Sequence, residues 1–215
     1  MGTENRAHCA CRERLRAYRV RRCRTGAARG RVSEIAIPID TIAALATPPG
    51  KGAIAIVRIS GPEARALASR LFRAKGPLRE RIATYGEIRD EEGRPIDRGV
   101  AILSLAPRSY TGEDSVELHT HGSPAVVREV LRSALCCGAR YAQPGEFTRR
   151  AFLNGKMDLH AAGAVADLIE AETRSAARAA LANLSGGLGT AVRGARARLA
   201  TRLEELAASI DFPDE

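Results

Sequence analysis

Apolar and polar residues alternate in five short stretches between residues 34 and 122, which is the pattern expected of half-buried β-strands. The five predicted strands are EIAIPIDTIAALA (34–46), AIAIVRIS (53–60), ATYGEIRD (83–90), RGVAILSLA (98–106) and SVELHTHG (115–122). Apolar residues at helical spacing predict helices over 62–74 and over 124–138, the second closed by Gly138. Because strands and helices mix without a regular strand–helix–strand alternation, the pattern predicts an α+β domain over residues 34–150.

The periodicity changes after PGEF at 144–147, where apolar residues recur every three or four positions up to residue 210. Asn154-Gly155 and Gly186-Gly187 interrupt this pattern, since a glycine inside a helix costs about 1 kcal/mol relative to alanine. Two or three long amphipathic helices cannot bury all of their apolar faces against one another. The sequence therefore predicts an incomplete α-helical domain over residues 151–215.

The net charge of +9 is concentrated at the start of the chain. Residues 1–33 contain ten arginines and two acidic residues, Glu4 and Glu13, so the remainder is close to neutral and gives no basic-patch argument for RNA binding. We interpret this Arg-rich extension as a disordered segment or a start assigned too far upstream, with an RNA-contacting arm and an organelle transit peptide as alternatives. No apolar run approaches the roughly 20 residues of a membrane-spanning helix, so no membrane partner is expected.

Three of the five cysteines lie in the Arg-rich extension. A zinc site formed by His8, Cys9, Cys11 and Cys23 is conceivable, but their spacing matches no standard zinc motif. An odd number of cysteines without a secretion signal indicates a reducing compartment. The sequence therefore predicts a cytoplasmic location, or a mitochondrial one if the extension is a transit peptide.

The stretch TPPGKGAIAIVRISG at 47–61 has the glycines and the lysine of a phosphate-binding loop. Such a loop needs G-x-x-x-x-G-K-[ST] between a strand and a helix, whose N-terminus binds the phosphate. Here Lys51 is followed by Gly52, and a predicted strand follows instead of a helix. No other segment fits the motif, so we expect this chain alone neither to bind nor to hydrolyse GTP.

Glu117, His119 and His121 share one face of the predicted strand 115–122, since strand side chains alternate. A carboxylate and two imidazoles on one face suggest a metal site, although a ligand from elsewhere would be needed to complete it. Alternatively, one histidine is packed and the other exposed. A different use of Glu117 is as a buried carboxylate facing a pocket, where it can accept two parallel hydrogen bonds from a heterocycle with an N–H beside an amino group, as guanine and pterin present.

Two further charged residues are candidates for a site. Arg58 lies inside the apolar strand pattern IAIVRIS, and Lys156 follows the Asn154-Gly155 break in QPGEFTRRAFLNGKMDL. Taken alone, each is explained by an exposed side chain, Arg58 on an edge strand and Lys156 in a link between helices. Their sequence surroundings change this interpretation.

Three segments together resemble the MnmE/TrmE family of tRNA-modification GTPases. They are DTIAALATPPGKGAIAIVRISG, YTGEDSVELHTHG and PGEFTRRAFLNGKMDLHAAGAVADLIEA, with IDFPDE following, and the resemblance covers essentially everything after residue 38. It implies a folate-binding, dimerising α+β domain, then a helical domain into which a GTPase domain is inserted. It also implies that, with a flavoprotein partner (MnmG/GidA-like), the family adds an aminomethyl-type group to C5 of the wobble uridine of tRNA.

The resemblance also implies the site residues. The family's folate contacts fall on Arg58, Glu117 and Lys156, each of the residue type that the family uses. The implied cofactor is 5-formyltetrahydrofolate or a related reduced folate, with GTP, Mg²⁺ and K⁺ expected only in the full-length family form. His121 lies in the family's His-Gly pair, whereas His119 falls where a neutral polar residue is expected. No acid–base pair is evident, so no catalytic residue is predicted.

The GTPase domain of the family is expected to begin at about IDFPDE, so the resemblance predicts a chain that lacks the GTP-binding domain. One alternative is a stand-alone, non-catalytic module for folate binding and dimerisation. A second alternative, from a different class, is a metal-dependent enzyme at Glu117, His119 and His121.

Overall fold

A computed structural model describes the backbone of residues 40–211 and the side chains of residues 40–187 and 189–207. The chain divides into two compact units, residues 1–147 and residues 148–215. The Arg-rich extension, the conceivable zinc set around His8, the start of the first predicted strand and the last four residues lie outside the described part.

The described residues of the first unit contain a seven-stranded sheet. Its strands are β1 (Ile42–Leu45), β2 (Gly52–Ser60), β3 (Phe72–Arg73), β4 (Thr84–Arg89), β5 (Pro95–Ser104), β6 (Ser115–Gly122) and β7 (Arg140–Tyr141). Their order across the sheet is β3-β4-β5-β6-β2-β1-β7. Neighbouring strands are antiparallel except for β1 and β7, which are parallel. The strands β2 and β6 therefore lie side by side near the middle of the sheet.

Two helices, α1 (Ala64–Leu71) and α2 (Pro124–Cys136), pack with the sheet around one apolar core. The core takes alternate residues of β2, β5 and β6, because successive strand side chains point to opposite faces. Its members include Ala55, Val57, Ile59, Leu67, Leu71, Ala101, Leu103, Val116, Leu118, Val127, Val130 and Leu131. We call this side of the sheet the core face. The opposite side, which carries Arg58 and Glu117, is called the polar face.

The predicted fold class, an α+β domain followed by a helical domain, is confirmed. β2, β4, β5 and β6 lie within three residues of their predicted limits, and the helix predicted over 124–138 is α2. The helix predicted over 62–74 is wrong at its end, because Phe72 and Arg73 pair with β4 as the short strand β3. β7 was not predicted, since two residues are too few to show a strand period.

A charged network around Arg140 fixes β7 and the start of α3 (Glu146–Leu153). Arg140 Nε donates to Asp40 Oδ2 at 2.7 Å, and Arg140 Nη2 donates to Glu146 Oε1 at 2.7 Å. Glu146 is buried, and its Oε2 also accepts a hydrogen bond from the backbone N–H of Gln143 at 2.6 Å. The hydrogen bonds from Arg140 to Glu146 and Asp40 raise the pKa of the guanidinium. This network ties the chain just before β1 to the end of the first unit.

The second unit is helical in its described residues. After α3 come α4 (Leu159–Ile169), α5 (Arg174–Leu184) and α6 (Gly187–Asp211). Asp158 caps α4 by accepting a hydrogen bond from Ala161 N at 2.8 Å, and Thr173 caps α5 by accepting one from Ala176 N at 3.1 Å. Each cap satisfies a backbone N–H that has no partner inside the helix. These capping side chains decide where the helices begin.

The helical breaks predicted at Asn154-Gly155 and at Gly186-Gly187 are confirmed. Gly155 and Gly186 have φ of 70° and 84°, left-handed values that glycine adopts without a Cβ penalty. The prediction of two or three long helices is wrong in number, since short turns separate four helices in the described residues and only α6 is long. Val192, Leu199 and Leu203 of α6 are exposed. None of the described helices combines the length and the apolar character that spanning a bilayer requires.

Candidate functional site

The pairing of β2 with β6 places Arg58 directly opposite Glu117. Their sequence neighbours Val57, Ile59 and Leu118 are fully buried on the core face, so the strand period directs Arg58 and Glu117 to the polar face. The two residues are 59 positions apart in the chain. The sheet therefore creates a charged pair whose neighbours along each strand, Val57 and Ile59 in β2 and Val116 and Leu118 in β6, are buried apolar residues.

Arg58 holds one of the two carboxylate oxygens of Glu117. Arg58 Nε and Nη2 lie 2.9 Å and 2.8 Å from Glu117 Oε1. The side chains are 25% and 28% exposed, so the pair is partly shielded from solvent yet accessible to a ligand. Among the described residues, Glu117 Oε2 accepts no hydrogen bond and Arg58 Nη1 donates none. The pair thus keeps one carboxylate oxygen, Glu117 Oε2, as an acceptor for a ligand.

Two aromatic rings hold the guanidinium of Arg58 in place. Its Cζ lies 5.2 Å from the centre of the Tyr110 ring and 5.6 Å from the centre of the Phe147 ring. Both distances are within the range of cation–π attraction, which favours a fixed guanidinium over a mobile one. The sequence does not predict this clamp of Tyr110 and Phe147 on Arg58. The signal was present, because Tyr110 begins YTGED and Phe147 ends PGEF, but neither ring can be assigned to Arg58 from spacing.

The two histidines of β6 have different surroundings. His119 Nε2 lies 3.5 Å from Glu117 Oε2, and this nitrogen is buried without a hydrogen-bond partner in the described residues. His121 is exposed, and its Nδ1 lies 2.8 Å from Asp97 Oδ1 while its backbone N–H donates to Asp97 Oδ2 at 2.8 Å. Burial alone would raise the pKa of Asp97, but the hydrogen bonds from His121 and from Arg98 N outweigh burial and lower it.

The metal-site alternative has no geometric support among the side chains that the structure describes. No group of three or more His, Cys, Asp and Glu side chains among them is arranged to hold a metal ion. His121 is directed to Asp97 of β5 rather than to Glu117. The remaining pair, Glu117 and His119, offers two side chains where a stable metal site needs about four ligands.

Lys156 belongs to the second unit, in the turn between α3 and α4. It is exposed and follows Gly155, and its backbone N–H donates to Ala151 O at 2.8 Å at the end of α3. Of the three predicted contacts, the structure brings Arg58 and Glu117 into direct contact with each other. The third predicted contact, Lys156, stays a prediction.

The first unit also contains a cavity of about 400 Å³ between α2 and the loop that precedes β2. Its volume would accommodate a small ligand. Its lining is mainly apolar, with Lys51 and Arg128 as the charged residues, and neither Arg58 nor Glu117 lines it. It lacks a carboxylate and paired polar atoms, so the Arg58–Glu117 pair is the better candidate site. As predicted for the stretch at 47–61, Lys51 is followed by a strand, β2, rather than by a helix.

Comparison with known proteins connects both units to one family. Residues 41–156 match the family model described as the GTP-binding protein TrmE N-terminus, and residues 159–215 match that of the MnmE helical domain. Proteins named tRNA modification GTPase MnmE from Thermotoga petrophila and Thermus thermophilus are each 49% identical to this chain, over 177 and 179 residues. The one from Symbiobacterium thermophilum is 50% identical over 180 residues.

The aligned regions cover 82%, 82% and 81% of this chain but only 39%, 41% and 39% of those three relatives. The chain thus spans about two fifths of the length of the curated relatives that it matches.

Proposed function

We propose, from the premise that this chain belongs to the MnmE/TrmE family of tRNA-modification GTPases, that its first unit binds a reduced folate for C5 modification of the wobble uridine of tRNA. The observation that carries the proposal is the Arg58–Glu117 pair on the polar face of the sheet. Family membership supports the connection to tRNA, and the geometry of the pair supports the choice of ligand.

The chemistry of the pair fits a pterin. A pterin ring presents N–H donors from which Glu117 Oε2 can accept, and a carbonyl oxygen that can accept from a guanidinium N–H. A hydrogen bond to an ionised carboxylate is about twice as strong as one between neutral groups, so this edge gives both affinity and orientation. The pterin is apolar above and below its plane, and the rings of Tyr110 and Phe147 near Arg58 offer apolar surface.

Each of the three predicted contact residues would have a different role toward the folate. Glu117 would accept from the pterin, and Arg58 and Lys156 would serve its carbonyl, formyl or carboxylate oxygens. When bound, 5-formyltetrahydrofolate or a related reduced folate supplies or positions a one-carbon unit. The residues of this chain bind and orient that group, and the aromatic clamp keeps Arg58 from moving away. The oxygen that Arg58 already holds, Glu117 Oε1, leaves Oε2 as the acceptor for the ligand.

The remaining elements of the proposal follow from the family. We infer a homodimer formed through the first unit, a flavoprotein partner for the redox step and tRNA as the substrate. We place the protein in the cytoplasm, with mitochondria as the alternative if residues 1–33 act as a transit peptide. Because the sequence contains no phosphate-binding loop motif, we expect GTP, Mg²⁺ and K⁺ to act only in the full-length family form.

Titration calorimetry with 5-formyltetrahydrofolate tests the proposal on the wild-type chain and on Glu117→Gln. Replacing the carboxylate by an amide removes a charge-assisted acceptor, and we expect affinity to fall by roughly 1.5–3 kcal/mol, or about 10- to 150-fold. Glu87→Gln is the matched control, since Glu87 pairs with Arg89 at nearly the same exposure, 26% and 25%, on β4. We expect this control to bind folate as the wild-type chain does.

Equal folate affinity in the wild type and in Glu117→Gln would contradict the assignment of the carboxylate. Complementation then tests the cellular role, by measuring the modified uridine of tRNA in cells whose family enzyme has this chain in place of its own matching region, so that the GTP-binding domain is supplied. Restored modification would support the proposal. Folate binding without restored modification would favour the stand-alone, non-catalytic module instead.

A further inference from the structure

His119 occupies a position next to the candidate site that has no assigned role. It lies two residues beyond Glu117 on the same face of β6, opposite Ile56 of β2 and Val100 of β5. Its side chain is 26% exposed, but its Nε2 is buried and has no hydrogen-bond partner among the described residues. A carboxylate oxygen, Glu117 Oε2, lies 3.5 Å from this nitrogen. A buried, unpaired ring nitrogen beside a ligand-binding carboxylate calls for a physical explanation.

The tautomer of the imidazole decides whether this contact is favourable. In neutral histidine one ring nitrogen carries a proton and the other has a lone pair. A lone pair on Nε2 would face the negative charge of Glu117 Oε2, whereas an N–H at the same place would be attracted to it. The guanidinium of Arg58 is bound to the other carboxylate oxygen, Glu117 Oε1. The opposing residues of β2 and β5, Ile56 and Val100, are apolar and offer no competing partner.

We propose that His119 is a positioning residue, whose Nε2–H is held toward Glu117 Oε2 and fixes the plane of the carboxylate from the side opposite Arg58. With Arg58 on one oxygen and His119 beside the other, the remaining lone pair of Oε2 has one direction in which to accept a ligand N–H. The distance of 3.5 Å is longer than a hydrogen bond, and such contacts commonly shorten when the ligand is bound. The identity of the ligand in this proposal rests on the proposed function, but the tautomer and its contact do not.

His121 provides the contrast that makes this proposal specific. It shares the face of β6 with His119, yet Asp97 holds both its backbone N–H and its ring Nδ1. Its side chain is 72% exposed, and its partner is a different carboxylate. His121→Gln is therefore the matched control for His119→Gln.

Nitrogen-15 NMR of histidine-labelled protein tests the contact without any ligand. The signal of His119 is identified by its loss in His119→Gln, and the ring nitrogen shifts report which nitrogen carries the proton. We expect the Nε2–H tautomer in the wild type and a reduced preference for it in Glu117→Gln, while His121→Gln leaves the His119 signal unchanged. A His119 signal with the proton on Nδ1, or one that ignores Glu117→Gln, would overturn the proposal.

Folate titrations test the consequence for binding. We expect His119→Leu to weaken 5-formyltetrahydrofolate binding about 3- to 10-fold. His119→Gln should stay within about twofold of the wild type, because its amide N–H₂ can occupy the place of the ring N–H. In a Glu117→Gln background, His119→Leu should change the affinity by less than twofold, since the negative charge that attracts its N–H is already gone. An equal loss in both backgrounds, or no loss in His119→Leu, would refute the positioning role.

The two proposals fail in distinguishable ways. If the wild-type chain binds no folate, the proposed function is wrong, and the NMR experiment alone decides whether His119 positions Glu117. If the wild type binds folate and Glu117→Gln does not, the proposed function stands. The ratio of the folate affinities of His119→Leu and His119→Gln then decides the role of His119.

Discussion

The two faces of the β2–β6 pair are formed by the same two strands but differ in burial and in function. On the core face Val57, Ile59 and Leu118 are fully buried under α1 and α2. On the polar face Arg58 and Glu117 are a quarter exposed and bound to each other. Substitutions at consecutive residues of one strand should therefore affect different properties, stability on the core face and ligand binding on the polar face.

This difference explains how a charged pair is held near the middle of a sheet. The backbone hydrogen bonds and the packing of the core face fix the positions of β2 and β6, and with them the register that places Arg58 opposite Glu117. The rings of Tyr110 and Phe147 then hold the guanidinium. A rigid scaffold of this kind places binding groups more accurately than a loop does. It also predicts that stability and binding can be changed separately by substitutions one residue apart.

Leu118→Ala gives the largest expected effect on stability. Leu118 is completely buried, and removing its side chain should lower the free energy of unfolding by about 2–5 kcal/mol, through lost burial and the cavity that remains. Urea unfolding followed by circular dichroism measures this change. Glu117→Gln, one residue away, should change the free energy of unfolding by less than about 1 kcal/mol, since partly exposed ion pairs contribute little. Comparable losses in both variants would break the distinction between the two faces.

The aromatic clamp is the next test, with a smaller effect that should appear in binding. In Phe147→Leu the ring near Arg58 is lost while apolar volume is largely kept, so the guanidinium should become more mobile. At about 0.5–1 kcal/mol for a cation–π contact at a solvent-accessible site, we expect folate affinity to fall roughly two- to fivefold. Calorimetry measures the affinity, and the control is Tyr85→Leu, because Tyr85 is an exposed tyrosine of β4. A loss of the same size in Tyr85→Leu would show that the clamp has no specific role.

The sequence predicts the fold well where periodicity is strong. The strands β2 and β6 and the helix α2 each have a clear apolar period and appear at or near their predicted limits. The short strands β3 and β7 escape prediction, because two-residue strands exist only through their partners β4 and β1. The strand period also places Glu117 and His119 on one face, as the sequence predicts, since alternation is a local property.

Contacts between distant segments limit what the sequence predicts of the site. Arg58 taken alone is explained by an exposed edge strand, but β2 is an inner strand and Glu117 is its partner, which follows from register rather than composition. Tyr110 and Phe147 meet Arg58 from segments more than 50 and 80 residues away, so no spacing rule connects them. The direction of His121 toward Asp97 likewise depends on how β5 lies against β6.

The smallest effect is expected at the Asp97–His121 contact, and it depends on pH. The pKa of Asp97 is lowered in the folded protein, because hydrogen bonds from His121 and from Arg98 N outweigh the effect of burial. A carboxyl whose pKa is lowered by folding stabilises the fold fully when the pH is above its ordinary pKa of about 3.9. This contribution is lost as the pH falls through the lower pKa of the folded state.

We therefore expect the free energy of unfolding of the wild type, measured in urea at pH 6, 4 and 2.5, to decrease as the pH falls. In Asp97→Asn this decrease should be smaller by about 1 kcal/mol or less, because His121 is largely exposed. Asp167→Asn on the exposed surface of α4 should keep the acid loss of the wild type. If Asp97→Asn loses as much stability in acid as the wild type, the contact does not couple to folding. A loss of several kcal/mol at this contact would instead mean that the polar face contributes to stability as the core face does.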